Sequence, residues 1–511
     1  MATAAGPRAE PRPGGLGQFV RRLVGGASLL SLASILQQGI GFFLLPVYTR
    51  YLSPEDYGHI EVLMVSVFLA LMVVGQGMPP SLLRSLTYVY ADDERRGRAA
   101  AGTALAWIGL SGLGFFALVA LLSRPLSTAL LGTPEHADLV MIGGILVGTG
   151  AFISVASSIL LAAQRVSLAV GVGLAQFAVK LALNILLIVV LEVGFAGIIW
   201  SQLAGEIVGM VGVLWMVRNR VTWNLRIGEL RGLLGYGVPL IGSTLGQQVL
   251  SVSDRYVLRW LRPGAELGLY AVANKFSTAF FFIVLTPLFR MWEINSLELV
   301  SDREGARRIS RLGSLYLILG TALVLAAMWL GEPVLRLILP PEFVAAEAAV
   351  GILIAGSVFH GLGEIFKVGM RATGAAGRQA MAAAAAAVLN LGLTVLMVPP
   401  LGFVGAAIST VLSFAAYAGL NAFAARGTVS IPWDRSRLLF GTVLLLAICC
   451  AQPWLVQIDP AARFVQRGWL LLAYLVLSPL MLDEETRAAL ADRLRPGLRR
   501  MQATTGGGGR A

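Results

Sequence analysis

The sequence predicts an all-α membrane protein of about 14 transmembrane helices, with two six-helix lobes as parallel repeats and two further C-terminal helices. Apolar stretches of membrane-spanning length recur along nearly the whole chain, and only short loops separate them. Charged residues make up 13% of the 511 residues, against about 25% in soluble domains. A charge that faces hydrocarbon has no solvent, so this composition fits a surface that faces lipid.

Each predicted span is long enough to cross about 30 Å of hydrocarbon. The predicted spans are Gly26–Leu45, Ile60–Gly77, Ala99–Leu122, Leu139–Leu161, Val166–Val190, Gly194–Val217, Leu233–Val257, Leu267–Phe289, Leu312–Leu330, Ala348–Met370, Ala380–Val398, Phe403–Ala424, Leu438–Leu455 and Gly468–Leu482. The first is longer than the apolar part of a typical secretion signal and is followed by other spans, so we expect it to be retained. The expected divisions are a cytoplasmic tail (1–24), an N-terminal lobe (25–218), a C-terminal lobe with its preceding link (219–428), two last helices (429–482) and a cytoplasmic tail (483–511).

The basic residues predict the orientation in the membrane. With the N-terminus in the cytoplasm, cytoplasmic segments hold about 28 of the 40 basic residues, and the opposite loops hold about seven. This asymmetry predicts a bacterial inner-membrane protein with both termini in the cytoplasm. The net charge of +12 is spread over separate short loops, which does not fit a nucleic-acid interface.

The two halves of the chain repeat each other at an offset of roughly 206–210 residues. The link TRYLSPEDYG (Thr49–Gly58) matches LRWLRPGAELG (Leu258–Gly268), and LNILLIVVLEVGFAG (Leu183–Gly197) matches LNLGLTVLMVPPLGFVG (Leu389–Gly405). The pair Gln37-Gln38 likewise matches Gln247-Gln248. Six spans per repeat insert both copies the same way, as in transporters whose two halves rock around a central site.

All three lysines, Lys180, Lys275 and Lys367, fall inside predicted spans, whereas the loops contain arginine. A lysine at the centre of a span costs roughly 2.5–3.5 kcal/mol to insert, so Lys180 and Lys275 are expected to face a partner or a wet cavity. Lys367 lies near a span end, where its side chain can also reach the headgroups by snorkelling.

Other polar residues follow helical spacing on the predicted spans. The candidate stripes are Gln176, Lys180 and Asn184; Ser243, Gln247, Ser251 and Asp254, with Gln248 and Arg255 beside them; and His360, Glu364, Lys367 and Arg371; Glu206 stands alone. A helix-packing hydrogen bond explains any single one of them, but stripes from both halves favour a central hydrated cavity for an anion. Whether the carboxylates neutralise the bases or exchange protons is open at this stage, and Glu206, His360, Glu364 and Lys367 are the candidates for ion coupling.

Several of these strings resemble the signatures of bacterial polysaccharide flippases, the Wzx group. They are Thr49–Gly58, GVPLIGSTLGQQVLSVSDRYVL (Gly237–Leu258), LGLYAVANKFS (Leu267–Ser277), PPEFVAAEAAVGIL (Pro340–Leu353) and PPLGFVGAAISTVLS (Pro399–Ser413). The resemblance implies the multidrug/oligosaccharidyl-lipid/polysaccharide exporter superfamily and transport of an undecaprenyl-diphosphate-linked oligosaccharide. By position, Arg50, Asp254 and Arg255 match recurring family residues.

We therefore expect Lys180, Lys275 and Arg255 to offset the charge of a diphosphate–sugar headgroup in a cavity that also involves Asp254, Arg50, Asn184, Gln37, Gln38, Gln247 and Gln248. Expected partners are the lipid-linked oligosaccharide, membrane lipids and a glycan polymerase or other export machinery. The alternatives are a multidrug exporter, a lipid II flippase or a membrane glycan polymerase. A membrane enzyme is the least expected of these, because the sequence has no D-x-D metal-binding pattern and no long periplasmic loop that could hold a catalytic site. Adjacent Cys449 and Cys450 and three histidines show no zinc spacing, so neither a metal nor a cofactor is expected.

Overall fold

A computed structural model describes residues 42, 44–286, 289, 292, 296, 300, 303–455 and 459–478, without the side chains of 242–245, 247 and 455. All regular elements in this part of the chain are helical. The elements of the N-terminal half are α1 (Leu45–Tyr51), α2 (Pro54–Gly75), α3 (Met78–Arg84), α4 (Glu94–Leu121), α5 (Ser123–Leu131), α6 (Ala137–Ala162), α7 (Val166–Asn184) and α8 (Ala196–Val217). Those of the C-terminal half are α9 (Ile227–Leu261), α10 (Gly264–Phe280), α11 (Arg303–Ile338), α12 (Glu347–Phe366), α13 (Val368–Ala372), α14 (Ala376–Ala424), α15 (Arg435–Leu455) and α16 (Pro460–Leu477).

The predicted all-α membrane class is confirmed. Ten helices within the described ranges are long and apolar enough to cross a membrane. The predicted spans eleven and twelve are the two helical parts of α14, which are separated by a kink at Gly402 (φ 58°, ψ −141°). The predicted first span lies almost wholly outside the described residues, and the total of 14 stays a prediction.

Helix α2 has strong sequence signals at both of its ends. Ser53 caps its N-terminus: its Oγ accepts from the backbone N–H of Asp56, and the Asp56 carboxylate accepts from the Ser53 backbone N–H in return. At the other end the chain turns sharply through Gln76 (φ 49°) and Gly77 (φ 63°), both left-handed. A Cβ on Gly77 would lie 2.2 Å from the carbonyl oxygen of Gly237, so this turn touches the backbone of α9 directly.

The two repeats meet where α2 crosses α10. Gly58 and Gly268, the last residues of the two matching links, lie at this crossing. A Cβ on Gly58 would lie 2.4 Å from the Gly264 carbonyl oxygen, and one on Gly268 only 1.7 Å from the Pro54 carbonyl oxygen. Equivalent glycines thus allow equivalent helices to approach backbone to backbone. We call this side of the bundle, where α2 and α10 begin, the Ser53 end.

Helix α9 contacts the N-terminal half near both of its ends. Towards the Ser53 end, the Arg259 guanidinium donates through Nε to the Leu130 carbonyl at 2.9 Å. Towards the opposite end, the Ser81 hydroxyl donates to the Leu233 carbonyl at 2.7 Å. Helix α9 also packs along α14 within its own half. It therefore contacts the N-terminal half near both of its ends and the C-terminal half along its length.

A polar contact outside the spans holds the start of α9. The Tyr90 hydroxyl donates to the Glu229 carboxylate, whose other oxygen accepts from Arg96 Nε at 3.2 Å. Burial and the bond to Glu229 raise the pKa of Tyr90 to about 12, so this phenol remains a donor at neutral pH.

Helix α16 is held against α11 and α12 by buried ion pairs. Arg463 donates to Glu332 at 2.7 Å, and Arg467 pairs with Glu347 and donates to the Met328 carbonyl at 2.9 Å. The predicted last span begins at Gly468, whereas the observed helix begins at Pro460. The prediction started too late because hydropathy treats these two arginines as loop residues, while their carboxylate partners make them acceptable inside the helix.

Candidate functional site

A network of buried charges joins the two halves near the Ser53 end. Arg255 on α9 donates through Nε to Glu61 on α2 at 2.7 Å. Lys275 on α10 approaches the other oxygen of the same carboxylate, with Nζ 3.8 Å from Glu61 Oε2. The side chains of Arg255 and Glu61 are 6% and 8% exposed, whereas Lys275 is 34% exposed. One carboxylate of the N-terminal half thus faces two cations of the C-terminal half, and Lys275 is the member that water reaches.

Asp254 holds Arg255 from its own half. Its Oδ1 accepts from Arg255 Nη1 at 3.1 Å and from the Arg255 backbone N–H at 2.8 Å. Its Oδ2 accepts from Thr410 Oγ1 at 2.9 Å and from the Tyr270 hydroxyl. Both oxygens of the Asp254 carboxylate are therefore hydrogen-bonded beside Arg255. We call Glu61, Asp254, Arg255, Tyr270, Lys275 and Thr410 the Arg255 cluster; its two cations balance its two carboxylates.

Lys180 lies in a second charged pair, inside the N-terminal half. Its Nζ is 2.9 Å from Glu206 Oε1, and the two side chains are 20% and 18% exposed. Its alkyl stem crosses α8 at Gly205, where a Cβ would lie 2.4 Å from Lys180 Cγ. Asn184, one turn along α7, donates to the Lys180 carbonyl at 2.8 Å. A small residue on α8 therefore makes the space that the buried lysine needs to reach its partner.

Glu364 on α12 is the centre of a third cluster. Its carboxylate accepts from Lys367 at 2.5 Å and from Arg371 at 2.8 Å, and His360 Nε2 lies 3.8 Å from it. The Tyr417 hydroxyl adds a long hydrogen bond of 3.4 Å, and its ring stacks on His360 with centroids 6.0 Å apart. The spacing that suggested one helix face is observed, with a carboxylate surrounded by bases.

The remaining predicted residues lie apart from these clusters or cannot be placed. Arg50 is exposed at the end of α1, and Gln248 is half-buried on α9. Gln37 and Gln38 lie outside the described residues, as does the side chain of Gln247.

The structure brings together predicted residues that lie on different helices and whose contacts the sequence did not predict. Arg255, Asp254 and Lys275 share one cluster, and Lys180 meets Glu206. The sequence analysis did not single out Glu61, which is the second residue of the predicted span Ile60–Gly77 and directly follows the polar link Thr49–Gly58. Its repeat equivalent at the same offset, Ala271, is apolar, so the repeat gave no signal either.

A family model described as "Polysaccharide biosynthesis protein" matches residues 23–291, which is more than half of the chain. The chain belongs to this family. The matched region contains α1 to α10 and therefore the whole Arg255 cluster except Thr410.

Two curated proteins are similar over part of their length. The succinoglycan biosynthesis transport protein ExoT of Rhizobium meliloti (strain 1021) is 23% identical over 62% of this chain and 62% of its own. The probable low-salt glycan biosynthesis flippase Agl15 of Haloferax volcanii is 24% identical over 48% of this chain and 52% of its own. The chain thus spans between half and two thirds of the length of these relatives.

Solved structures share the fold at low sequence identity. The lipid II flippase MurJ in an inward closed conformation gives a TM-score of 0.64 at 14% identity, covering 91% of this chain and 98% of that one. An inward-facing MATE-family multidrug resistance transporter of the MOP superfamily gives 0.63 at 15% identity, covering 83% and 99%. The chain therefore shares the fold of these membrane transporters.

Proposed function

We propose that this protein transports a lipid-linked oligosaccharide with an anionic diphosphate headgroup across the bacterial inner membrane by alternating access, and that it is not an enzyme. The observation that carries this is the Arg255 cluster: two cations inside the membrane, at the contact between two repeats, in a member of the polysaccharide biosynthesis family. The names of the two curated relatives, a transport protein and a glycan flippase, support the same class.

Separation of the halves changes the charge of the cluster. Glu61 belongs to α2, whereas its partners Arg255 and Lys275 belong to α9 and α10. When the Ser53 end opens, Glu61 leaves with the N-terminal half, and the two cations keep only Asp254. The C-terminal half then carries one uncompensated positive charge, which a substrate phosphate can neutralise. Lysine suits this role because its ammonium is a compact point charge on a flexible stem.

The predicted orientation puts the Ser53 end on the periplasmic side, with both termini in the cytoplasm. The observed packing of α2 against α10 then corresponds to a state closed towards the periplasm. Outward movement of an anion is favoured by an inside-negative potential, by about 2.3 kcal/mol per charge per 100 mV. Glu206 and Glu364, each inside a span beside basic groups, are our candidates for an additional coupling to protons or sodium. A glycan polymerase is the partner that we propose for the delivered product.

The function is tested in a strain that lacks this protein, by labelling lipid-linked glycan with a lectin in spheroplasts and in inside-out vesicles. We expect the glycan to accumulate on the cytoplasmic face and the native gene to restore export. Lys275→Gln at normal expression should restore little export, whereas Arg124→Gln, at an exposed position on α5, should restore it fully. Full export with Lys275→Gln would show that this lysine does not handle the substrate charge.

Two alternative functions, drug export and lipid II transport, are known for proteins with this fold and can be tested in the same strain. The same strain is profiled for drug resistance and for cell-wall synthesis. Increased drug sensitivity with normal glycan orientation indicates a drug exporter, and rescue of lipid II export indicates a lipid II flippase. We expect neither, because the charge that the C-terminal half exposes on opening is positive and fits an anionic headgroup better than a cationic drug, and the curated relatives carry glycan names.

A further inference from the structure

The segment between α14 and α15, residues 425–434, borders a cavity of about 540 Å³. Its walls come from the ends of α12 and α14 and from the start of α15. Trp433 packs edge-on against Phe366 with ring centroids 4.8 Å apart, and the Ser310 hydroxyl donates to the Pro432 carbonyl at 2.7 Å. These contacts fix the segment against α11 and α12, so this wall of the cavity is held in place by side-chain packing and a hydrogen bond.

The mouth of this cavity is basic. Arg426 and Arg435 line it, and Arg426 also lines a neighbouring cavity of about 490 Å³ together with Arg378. Within the described ranges, none of these three arginines forms an ion pair. The one carboxylate of the connecting segment, Asp434, is 3.0 Å from Arg437 Nε and is thereby neutralised. Among the residues that the structure describes, the mouth therefore has an unbalanced positive charge, which is complementary to an anion.

Most of the other residues that line the cavity are apolar. One wall is a row of small residues on α14, which are Ala415, Ala418, Gly419 and Ala422. A Cβ on Gly419 would meet no atom within 4 Å, so this row borders open space. The small residues lead from the basic mouth along the helix, towards the middle of the bilayer. An anionic group and a hydrocarbon chain attached to it fit these two parts in the observed order.

We propose that this cavity binds an anionic phospholipid of the surrounding membrane, with its phosphate between Arg426 and Arg435 and an acyl chain along Ala418 and Gly419. Basic pockets between transmembrane helices are suited to anionic lipid headgroups. The lipid bridges the end of α14 and the start of α15, and so holds the last two helices against the C-terminal half. It is a resident lipid and is not the transported substrate.

The test is native mass spectrometry of the purified full-length protein in detergent, titrated with phosphatidylglycerol or with phosphatidylcholine of the same acyl chains. Each arginine near the membrane surface contributes about fivefold in affinity, so phosphatidylglycerol should bind about 25-fold more tightly. Arg426→Gln with Arg435→Gln should remove this preference. Arg218→Gln with Arg220→Gln removes the same charge elsewhere and should preserve it.

A second variant tests the apolar part without any change of charge. Gly419→Leu places a side chain into open space, so the fold should tolerate it, and phosphatidylglycerol binding should weaken about tenfold. Equal binding of the two lipids, or unchanged binding in Gly419→Leu, would overturn the proposal. So would much tighter binding after Asp483→Asn, Glu484→Gln and Glu485→Gln, because an acidic segment of the chain itself would then be the occupant.

Discussion

Replacing Gly268 with alanine adds one methyl group at the point where the two repeats touch. The new Cβ would lie 1.7 Å from the carbonyl oxygen of Pro54 and 2.7 Å from its carbonyl carbon. Because real Cβ contacts are not shorter than about 3.0 Å, α2 and α10 must separate by at least about 1.3 Å. Both clashing atoms are backbone atoms, so no side-chain rotation can relieve the contact. The same shift lengthens the 3.8 Å distance between Glu61 on α2 and Lys275 on α10.

The added methyl group destabilises only the state in which the Ser53 end is closed. Overpacking of a close contact costs about 1–3 kcal/mol, and α2 and α10 are in contact only when the Ser53 end is closed. The equilibrium between closed and open should therefore shift towards open by about 5- to 150-fold, since each 1.4 kcal/mol is a factor of ten. Gly58→Ala, with a milder approach of 2.4 Å, should produce a smaller shift in the same direction.

The shift is measured by double electron–electron resonance between spin labels at Tyr51 and Leu261, which are 45% and 46% exposed near the Ser53 end. The labels require a background without Cys449 and Cys450. Gly75→Ala is the matched control, because it lies on α2 and its Cβ would meet no atom within 4 Å. A longer-distance population should grow in Gly268→Ala and not in the control. Identical distance distributions for the two variants would refute the close-contact reasoning.

Three further predictions concern the buried ion pairs. Glu61→Gln removes the counter-charge of two cations and should open the Ser53 end in the same spin-label experiment, by up to about 3 kcal/mol; an unchanged distribution would contradict the proposed link between the halves. Lys180→Gln leaves Glu206 without its partner and should lower the unfolding temperature in detergent. The double variant with Glu206→Gln should recover stability but not export. Recovery of export would show that Lys180 has only a structural role. Glu347→Gln leaves the buried Arg467 without its carboxylate partner and should lower the free energy of unfolding by about 3 kcal/mol. An unfolding temperature equal to that of the native protein would contradict this.

Hydropathy predicted most of the helices because it measures the average environment of a segment, and that average decides whether a segment enters lipid. It failed at the start of α16, where Arg463 and Arg467 are inside the helix and are buried by partners on α11 and α12. A segment average has no information about such partners. The repeat predicted that α2 and α10 are equivalent, but it did not predict that Gly58 and Gly268 meet.

The candidate site was predicted as residues and not as contacts. Lys180 and Glu206 were each singled out as charges inside spans, but their contact depends on how α7 and α8 are rotated against each other. Lys275 and Arg255 were expected near an anionic substrate, and the structure places a carboxylate of the chain itself, Glu61, beside them. That partner is 194 residues from Arg255 in the sequence, and no local spacing connects the two.

The ion pairs differ in how far water reaches them, and this decides which of them can break easily. Desolvation makes a fully enclosed charge expensive to leave without its partner, whereas a charge that water reaches can exchange its partner at lower cost. Arg467 and Glu347 join helices of the same half, and both side chains are 5% exposed. Lys275, which meets Glu61 across the two halves, is 34% exposed. Arg255, which also meets Glu61 across the halves, is only 6% exposed. Lys275 is therefore the cation of the cluster that can most easily exchange Glu61 for solvent or for an anionic ligand, as alternating access requires of a contact at a closed gate.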